Sequence, residues 1–452
     1  MAVPSIRLIA LMAACALPAM AQTPPRNGTR PAATAPAAPG LTLAEAERLL
    51  VERNLAVAGA RYGVDAARAQ RLVGSSIQPM QFTVGSTAGQ FNEYSGTVNG
   101  VRAYSPANNL AVGLTAVIEL GGKRSLRVRT AEEQIGAAEA LVLDTMRGQV
   151  FALRQAFFGA LVARANLDVA RATLASFERT EGLLRRQAEL GQSPEGDVIR
   201  FRASRPPFEA DVAAARQALA AQVAAMAALI DGDALPAGGG AAYEVRGRID
   251  RSPPLGLTRA ELADAVPRRA DVIAATRGTA AATANRELAE AGRWRDITVG
   301  GTVSRSRLQQ DLPNDASAST QIGISLSVPL FTHRIVEGNI GVAAAQQRQA
   351  EANAGTVLAQ ARADFATSWA SYEQAQRLLA VYNGTALRQA EEAYTITERA
   401  YLAGGRSLLD VLDSLRTLNQ TRLAANEARR AYLVALADLE RASGTSGIVT
   451  GF

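Results

Sequence analysis

The sequence has almost no cysteine, histidine or lysine, and these absences exclude several classes of function. Cys15, His333 and Lys123 are the only residues of their types in 452. One cysteine excludes a disulfide framework. With only one histidine besides, a Cys/His metal centre and most nucleophile–histidine chemistry are excluded too. The 48 basic and 42 acidic residues form no basic cluster that would follow a phosphate backbone. We therefore expect no catalytic residues, no metal site, no cofactor and no nucleic-acid partner.

Aromatic residues are also scarce, and proline is missing from two very long stretches. Phe, Trp and Tyr make up 5% of the chain, which favours closely packed, alanine-rich helices. Residues 125–193 and 331–452 contain no proline, and their apolar side chains recur every three or four positions. A helix of about 66 residues would span about 100 Å. This length excludes a compact globular domain and indicates an elongated coiled assembly.

Residues 1–21 have the pattern of a secretory signal peptide. Arg7 precedes the apolar run 8–17, and residues 19–21 (Ala-Met-Ala) offer a cleavage site. Cleavage there would remove Cys15. The alternative is that Cys15 carries a lipid, although the residues before it match a lipoprotein box poorly. Residues 22–40 are rich in proline, alanine and threonine and are predicted to be a flexible N-terminal segment.

The remaining chain contains one unit twice. The segment 40–42 (Gly-Leu-Thr) recurs at 256–258, a shift of 216, and 120–124 aligns with 330–334, a shift of 210. Near-constant offsets indicate two copies of a unit of roughly 200 residues, joined by a stretch rich in glycine and proline.

The predicted elements follow the same order in both repeats. The first repeat, 41–232, is predicted to contain a helix over 43–74, strands over 80–88 and 109–120, a long helix over 125–190, a tip turn over 191–194 and a helix over 195–231. An equatorial linker covers 233–256. The second repeat, 257–443, is predicted to contain a helix over 258–292, strands over 297–307 and 320–330, a long helix over 335–402, a tip turn over 403–407 and a helix over 408–443, before a C-terminal tail over 444–452.

The predicted strands alternate apolar residues with glycine, serine and threonine. Over 322–328, for example, Ile, Ile, Leu and Val alternate with Gly and two Ser. This is the pattern of a membrane β-strand between lipid and water. A half-buried strand of a soluble sheet would show the same alternation, and the export signal favours the membrane interpretation.

Four membrane strands cannot close a barrel. Because lipid offers no partner to the backbone of an open edge, sister subunits have to complete the barrel. Eight strands would leave an interior filled with side chains, whereas twelve would open an aqueous lumen. The small residues on one strand face and the very long helices favour a trimer with a hollow tube.

The chain resembles the outer membrane factor family typified by TolC over essentially its whole mature length. The resemblance rests on the Leu-Thr opening at 41–42, the doubled strand–helix unit and both tip turns. Residues 119–124 (Glu-Leu-Gly-Gly-Lys-Arg) and 328–331 (Val-Pro-Leu-Phe) are most similar to the CzcC-like heavy-metal cation branch. The resemblance implies a mainly α fold with a membrane β-barrel, in which a trimeric 12-strand barrel (four strands per chain) continues into a long antiparallel α-helical periplasmic tube.

The resemblance also implies a function. Members of the family are passive exit ducts of tripartite efflux systems, gated at the periplasmic tip, and they export metal cations or drugs and other small toxic compounds. The implied partners are two sister copies, a periplasmic adaptor (membrane fusion) protein, an inner membrane pump and outer membrane lipid. The alternative is a secreted coiled-coil scaffold or adhesin without channel activity.

The resemblance assigns eight residues to the tip: Asp410 and Asp413 to the pore constriction, Tyr401, Arg406 and Asp197 to a latch, and Gly191, Gly404 and Gly405 to the tip turns. The i,i+3 spacing puts both aspartates on one helix face, and threefold symmetry would make each a ring. Such rings favour cations and raise their own carboxylate pKa by mutual repulsion. A latch of a tyrosine and an arginine between neighbouring helices would hold the tip shut with a few breakable hydrogen bonds.

Simpler structural roles are available for the same residues. Asp410 follows a glycine-rich turn and would also complement the dipole at a helix N-terminus. Tyr401 and Arg406 would also serve as exposed turn residues, and His333 as a polar residue at the barrel–helix junction. The pair Pro206-Pro207, about a dozen residues beyond the first tip turn, predicts a kink near the partner of Asp197.

Overall fold

The computed structural model describes residues 40–87, 97–98, 101–102, 109–191, 194–231, 243–309 and 316–449. The predicted signal peptide with Cys15, and the N-terminal segment up to residue 39, lie outside the described residues. The same holds for parts of the first tip turn, of the linker and of the C-terminal tail.

The described residues form ten α-helices and eight β-strands. The helices are α1 (Leu43–Arg53), α2 (Leu55–Ser75), α3 (Lys123–Glu189), α4 (Glu195–Ala203), α5 (Pro206–Asp231), α6 (Arg259–Ala265), α7 (Ala270–Ala291), α8 (His333–Val381), α9 (Leu387–Leu402) and α10 (Leu408–Ser443). The strands are β1 (Gly40–Leu41), β2 (Gln81–Thr87), β3 (Thr97–Val98), β4 (Val101–Arg102), β5 (Asn109–Ile118), β6 (Glu244–Val245), β7 (Ile297–Gln309) and β8 (Ala316–Ser327).

Four strands, two from each repeat, form one antiparallel sheet in the order β2-β5-β7-β8. One cross-strand row consists of four exposed apolar residues: Val84, Val112, Val303 and Ile322. The row beside it consists of small residues: Thr83, Gly113, Thr302 and Gly323. Because successive side chains in a strand point to opposite faces, the sheet has one apolar face and one small, polar face.

The helix predicted over 43–74 is two helices in the structure, because Asn54 serves as a cap. Its side-chain oxygen accepts a hydrogen bond from the N–H of Val57 at 3.0 Å, which starts α2. Its amide nitrogen donates to the carbonyl of Leu229 at 2.7 Å. A side chain satisfied on both sides stabilises the turn between α1 and α2.

The helix predicted over 258–292 is likewise interrupted, by a 3₁₀ turn over Val266–Arg268. Pro267 lies in this turn and has no N–H with which to continue an α-helix. A capping box between Thr258 and Glu261 starts α6, and α7 then runs to Ala291.

Two further irregularities interrupt the predicted helices, one after Ala203 and one at Tyr382–Ala386. The chain leaves the helical conformation after Ala203 and resumes it at Pro206, where the proline pair predicted a kink. The helix predicted over 335–402 contains a π-helical segment, Tyr382–Ala386. There the side chain of Asn383 accepts hydrogen bonds from Arg429 of α10 at 3.0 and 3.2 Å. This cross-helix contact and the low helix propensity of Gly384 account for the local widening.

Helix α3 organises the molecule along its length. Its 67 residues correspond to about 100 Å, and α2, α5, α7 and α10 all pack against it. The largest apolar cluster lies where α1, α3, α5 and α10 meet, around Phe157, Phe158 and Leu436. A smaller cluster nearer the tip contains Phe177 and Phe201, whose rings stack with centroids 4.1 Å apart. This second cluster positions the tip helices.

One helical stretch of the described chain, residues 195–231, contains an 18-residue window with a mean hydropathy of 1.4, which by length and composition alone is enough to cross a membrane. It is divided before Pro206, and its large side chains Phe208, Met226 and Ile230 are buried against the rest of the chain. We therefore assign it to the wall of the helical assembly.

Candidate pore gate at the helical tip

The two tip turns are built on residues in the left-handed conformation. Gly191, two residues after the end of α3, has φ +74°, and Gly404, two residues after the end of α9, has φ +76°. The N–H of Gly404 donates to the carbonyl of Tyr401 at 2.9 Å, and that of Gly405 donates to Ala400 at 2.8 Å. These bonds satisfy the last carbonyls of α9 and turn the chain into α10.

Ser407 caps α10, and Asp410, the third residue of the helix, completes a capping box with it. Its carboxylate accepts hydrogen bonds from the N–H of Ser407 at 3.0 Å and from the Ser407 hydroxyl at 2.9 Å, while Ser407 Oγ accepts from the N–H of Asp410 at 3.3 Å. The bonds from Ser407, followed by the positive charge of Arg406, lower the pKa of Asp410. Asp410 therefore has its helix-capping role within a single chain. Its place in a ring of three carboxylates at the pore stays a prediction.

Asp413 lies one helical turn further along α10 and is exposed. The two residues between the aspartates, Val411 and Leu412, are buried. This burial orients α10 and leaves Asp413 on the solvent side of the helix. Its carboxylate is therefore available to line a channel.

The latch residues meet in part. Tyr401 packs partly buried against the aromatic cluster that holds Phe177 and Phe201. Burial, and then the negative charge of Asp197, raise the pKa of Tyr401. Arg406 is exposed on the second tip turn, close enough to Asp410 to lower its pKa. The structure thus brings Tyr401 to Asp197 and Arg406 to Asp410.

Glu181 of α3 belongs to the tip as well, although the sequence does not single it out. Its buried carboxylate accepts hydrogen bonds from Arg202 at 3.0 Å and from Arg185 at 3.3 Å, and Arg205 lies 3.8 Å away. These contacts hold the residues before and within the helix break that precedes Pro206 against α3. The proline pair is visible in the sequence, but its partner lies on an antiparallel helix and no local pattern identifies it.

No group of three or more His, Cys, Asp or Glu side chains in the described part of the chain is placed to hold a metal ion. His333 is exposed at the start of α8, with Nδ1 3.4 Å from the carboxylate of Glu337 on the next turn.

A four-stranded membrane sheet joined to helices of about 100 Å defines a class, the outer membrane channels with a helical periplasmic tube. The structure matches the Campylobacter jejuni CmeC outer membrane channel with a TM-score of 0.72 at 17% identity, over 89% of this chain and 85% of that one. Residues 262–445 match the family described as Outer membrane efflux protein.

Two relatives extend the match to both repeats. The cobalt-zinc-cadmium resistance protein CzcC of Cupriavidus metallidurans is 28% identical over 318 residues, which cover 68% of this chain and 70% of that protein. The outer membrane protein TolC of Vibrio cholerae is 25% identical over 359 residues, which cover 74% of this chain and 77% of that protein. The second repeat thus matches the outer membrane efflux protein family, and both relatives are similar to the chain across the two repeats. The chain lies in the cell outer membrane and extends into the periplasm, which confirms the predicted fold and location.

Proposed function

We propose that three copies of the chain close a 12-strand barrel and form a passive exit duct. The observation that carries this proposal is the sheet β2-β5-β7-β8, in which β2 and β8 each pair on one side only among the described residues. Its apolar face suits lipid and its small, polar face suits water. In lipid, the two open edges require partners, and the edges β2 and β8 of identical copies can supply them.

The helices continue the lumen of the barrel on the periplasmic side. In a trimer, the long helices α3 and α8–α9 with their shorter partners form a tube whose tip is closed by Tyr401, Arg406 and Asp197. Asp410 and Asp413 form rings at the constriction. Asp413 supplies the more exposed carboxylate, and Asp410 also holds the start of α10. The chain itself is not an enzyme, since flow through the duct is passive.

The duct works within a tripartite efflux system, with a periplasmic adaptor protein and an inner membrane pump that supplies the energy. Its cargo is metal cations or drugs and other small toxic compounds. The similarity to a cobalt-zinc-cadmium resistance protein over both repeats supports cations, as do acidic rings at the constriction.

Purification from outer membranes in detergent, followed by planar bilayer recording, tests the proposal. We expect a trimer that dissociates to monomers only on heating, and a cation-preferring conductance. A monomer that stays in solution without detergent and gives no conductance would contradict the duct and indicate the secreted scaffold. Deletion of the gene, followed by growth on divalent metals and on hydrophobic drugs, then distinguishes the two kinds of cargo.

A further inference from the structure

The strand-to-helix junctions of the two repeats share a left-handed residue two positions before the long helix, although the next residue is left-handed only in the first repeat (Gly122, φ 70°; Thr332, φ -87°). α3 begins at Lys123 and α8 at His333, a shift of 210, so Gly121 of the first junction corresponds to Phe331 of the second. Gly121 has φ +76° and Phe331 has φ +57°. Glycine adopts this left-handed conformation without strain, whereas a bulky side chain clashes with its own backbone there. The second repeat therefore maintains a strained aromatic residue where the first has glycine.

Within the chain, Gly121 is covered by an aromatic side chain from the other repeat. A Cβ atom added to Gly121 would lie 2.7 Å from Cδ1 of Trp294 and 3.0 Å from its Cβ. Trp294 lies between α7 and β7, three residues after Ala291 and three before Ile297. At this boundary between repeats, Trp294 of the helix-to-strand segment fills the space that Gly121 of the strand-to-helix junction leaves open.

The repeat predicts what faces Phe331. α2 ends at Ser75 and β2 begins at Gln81, the positions of Ala291 and Ile297 at a shift of 216, so Gln78 corresponds to Trp294. α3 packs between α2 and α7, and α8 packs on α7. In a closed ring, the other neighbour of α8 is α2 of the next copy. Phe331 of one copy then faces Gln78 of the next. At this boundary the larger side chain lies on the strand-to-helix junction, whereas within the chain it lies on the helix-to-strand segment.

The two boundaries also differ in polarity: an ion pair lies at the boundary within the chain, and exposed apolar residues lie at the open one. Inside the chain, Lys123 Nζ lies 2.8 Å from the carboxylate of Asp296. The corresponding positions at the open boundary are His333 and Met80. Ile77 and Met80 are 66% and 56% exposed, and Phe331 is 94% exposed. An apolar surface is therefore present on both open sides of the chain, at the height where the sheet meets the helices.

We propose that Phe331 is an intersubunit wedge, which seats on the segment Ile77–Met80 of the next copy and seals the boundary where the barrel meets the tube. The proposal rests on the trimeric duct proposed above. The helix-to-strand segment of the first repeat has Gln78 where the second repeat has Trp294, so it supplies no aromatic ring at the open boundary. Phe331 supplies that ring instead, and the strain of its backbone is retained for this reason. The occupant of this surface is thus a second copy of the chain.

The variant Phe331→Gly separates the wedge from a merely local role. Glycine removes the left-handed strain and matches the first junction at this one position, so a local role predicts a trimer at least as heat-resistant as the wild type. The wedge predicts the opposite. The trimer of Phe331→Gly dissociates in detergent at a lower temperature than the wild type, and Phe331→Gly with Gln78→Trp regains the lost heat resistance, because the pair Gly121 and Trp294 is then reproduced between copies.

Cysteine pairs test the contact directly. Since a Cβ on Gly121 would lie 3.0 Å from that of Trp294, the corresponding pair Phe331→Cys and Gln78→Cys is expected within disulfide reach across the boundary. Oxidation of the double variant yields covalent dimers and trimers, and either single variant yields monomers only.

Two outcomes contradict the wedge while the wild type remains trimeric and conducting: unchanged or higher heat resistance in Phe331→Gly, and no cross-link. Unchanged heat resistance would indicate that Phe331 faces lipid headgroups instead. A wild-type protein that is monomeric contradicts the duct itself, so the two failures are distinguishable.

Discussion

Arg154 of α3 and Glu440 of α10 form an ion pair of 2.9 Å in the interior of the helical assembly, with side chains only 8% and 13% exposed. Arg154 also binds Glu47 of α1 at 2.6 Å. Glu440 in turn accepts hydrogen bonds from the N–H groups of Ile448 and Val449 at 3.1 Å. One arginine thus joins α1, α3 and α10 and, through Glu440, the chain after α10.

Replacing Arg154 should be strongly destabilising. Arg154→Ala leaves the largely buried carboxylate of Glu440 and the partly exposed one of Glu47 without this cation. Breaking a buried pair in this way costs about 3 kcal/mol or more of unfolding free energy. Chemical denaturation in detergent, followed by circular dichroism, measures the loss. Arg248→Ala serves as the control, because Arg248 and Asp250 form an exposed ion pair and its loss is expected to leave the denaturation midpoint unchanged. An equal midpoint for Arg154→Ala would show that the interior pair contributes nothing.

The two faces of the sheet should respond oppositely to charge. Val303→Arg places a cation on the lipid face, which costs about 2–4 kcal/mol near the membrane midplane, and we expect little heat-resistant trimer in the outer membrane. Ser304→Arg on the same strand points to the other face, where Gly85 and Ala111 are its row neighbours. This variant should assemble and lower the single-channel conductance. Reversed results would show that the faces are assigned the wrong way round.

Charge at the constriction should depend on both aspartates. Asp413→Asn is expected to reduce the cation preference of single channels without changing stability, because the carboxylate is exposed. Asp410→Asn removes the charge and retains a side-chain oxygen for the cap, whereas Asp410→Ala removes both. Comparing the two Asp410 variants separates selectivity from folding of the tip. Unchanged selectivity in Asp413→Asn and Asp410→Asn would show that these residues do not line the pore.

The latch predicts that the tip opens when its charges are removed. We expect Arg406→Ser to raise the resting conductance, because the exposed guanidinium is lost from the second tip turn. Arg388→Ser, an exposed position on the same helix-and-turn segment but farther from the tip, is the matched control and should conduct as the wild type does. If both variants conduct equally, Arg406 does not hold the tip closed.

Acid should loosen the start of α10. The folded pKa of Asp410 is lowered by Ser407, so its cap stabilises the helix above the ordinary aspartate pKa of about 3.9 and is lost as the pH falls through the lowered value. Hydrogen exchange of the first turn of α10, corrected for intrinsic rates, should show protection at neutral pH that disappears in acid. In Asp410→Asn this protection should not depend on pH; a titration that persists there would come from another group.

Local patterns were enough to predict most of the architecture. The alternation over 322–328 predicts a membrane strand because side chains of a strand point alternately to lipid and to water. The missing proline predicts helices of about 100 Å, because proline is the residue that most strongly interrupts them. The near-constant offset between the repeats predicts that both halves have the same order of elements. The proline pair at 206–207 predicts a kink.

The residues that join distant segments became visible only in the tertiary structure. Asn54 ends a helix because it reaches Leu229, Glu181 fastens the kink through Arg202, and Arg154 meets Glu440. Within the second repeat, only the backbone conformation distinguishes Phe331 from an ordinary exposed aromatic residue. The sequence by itself determined the periodic faces, because periodicity is a property of neighbouring residues. The contacts that hold those faces together depend on how the whole chain packs, and the tertiary structure alone decided them.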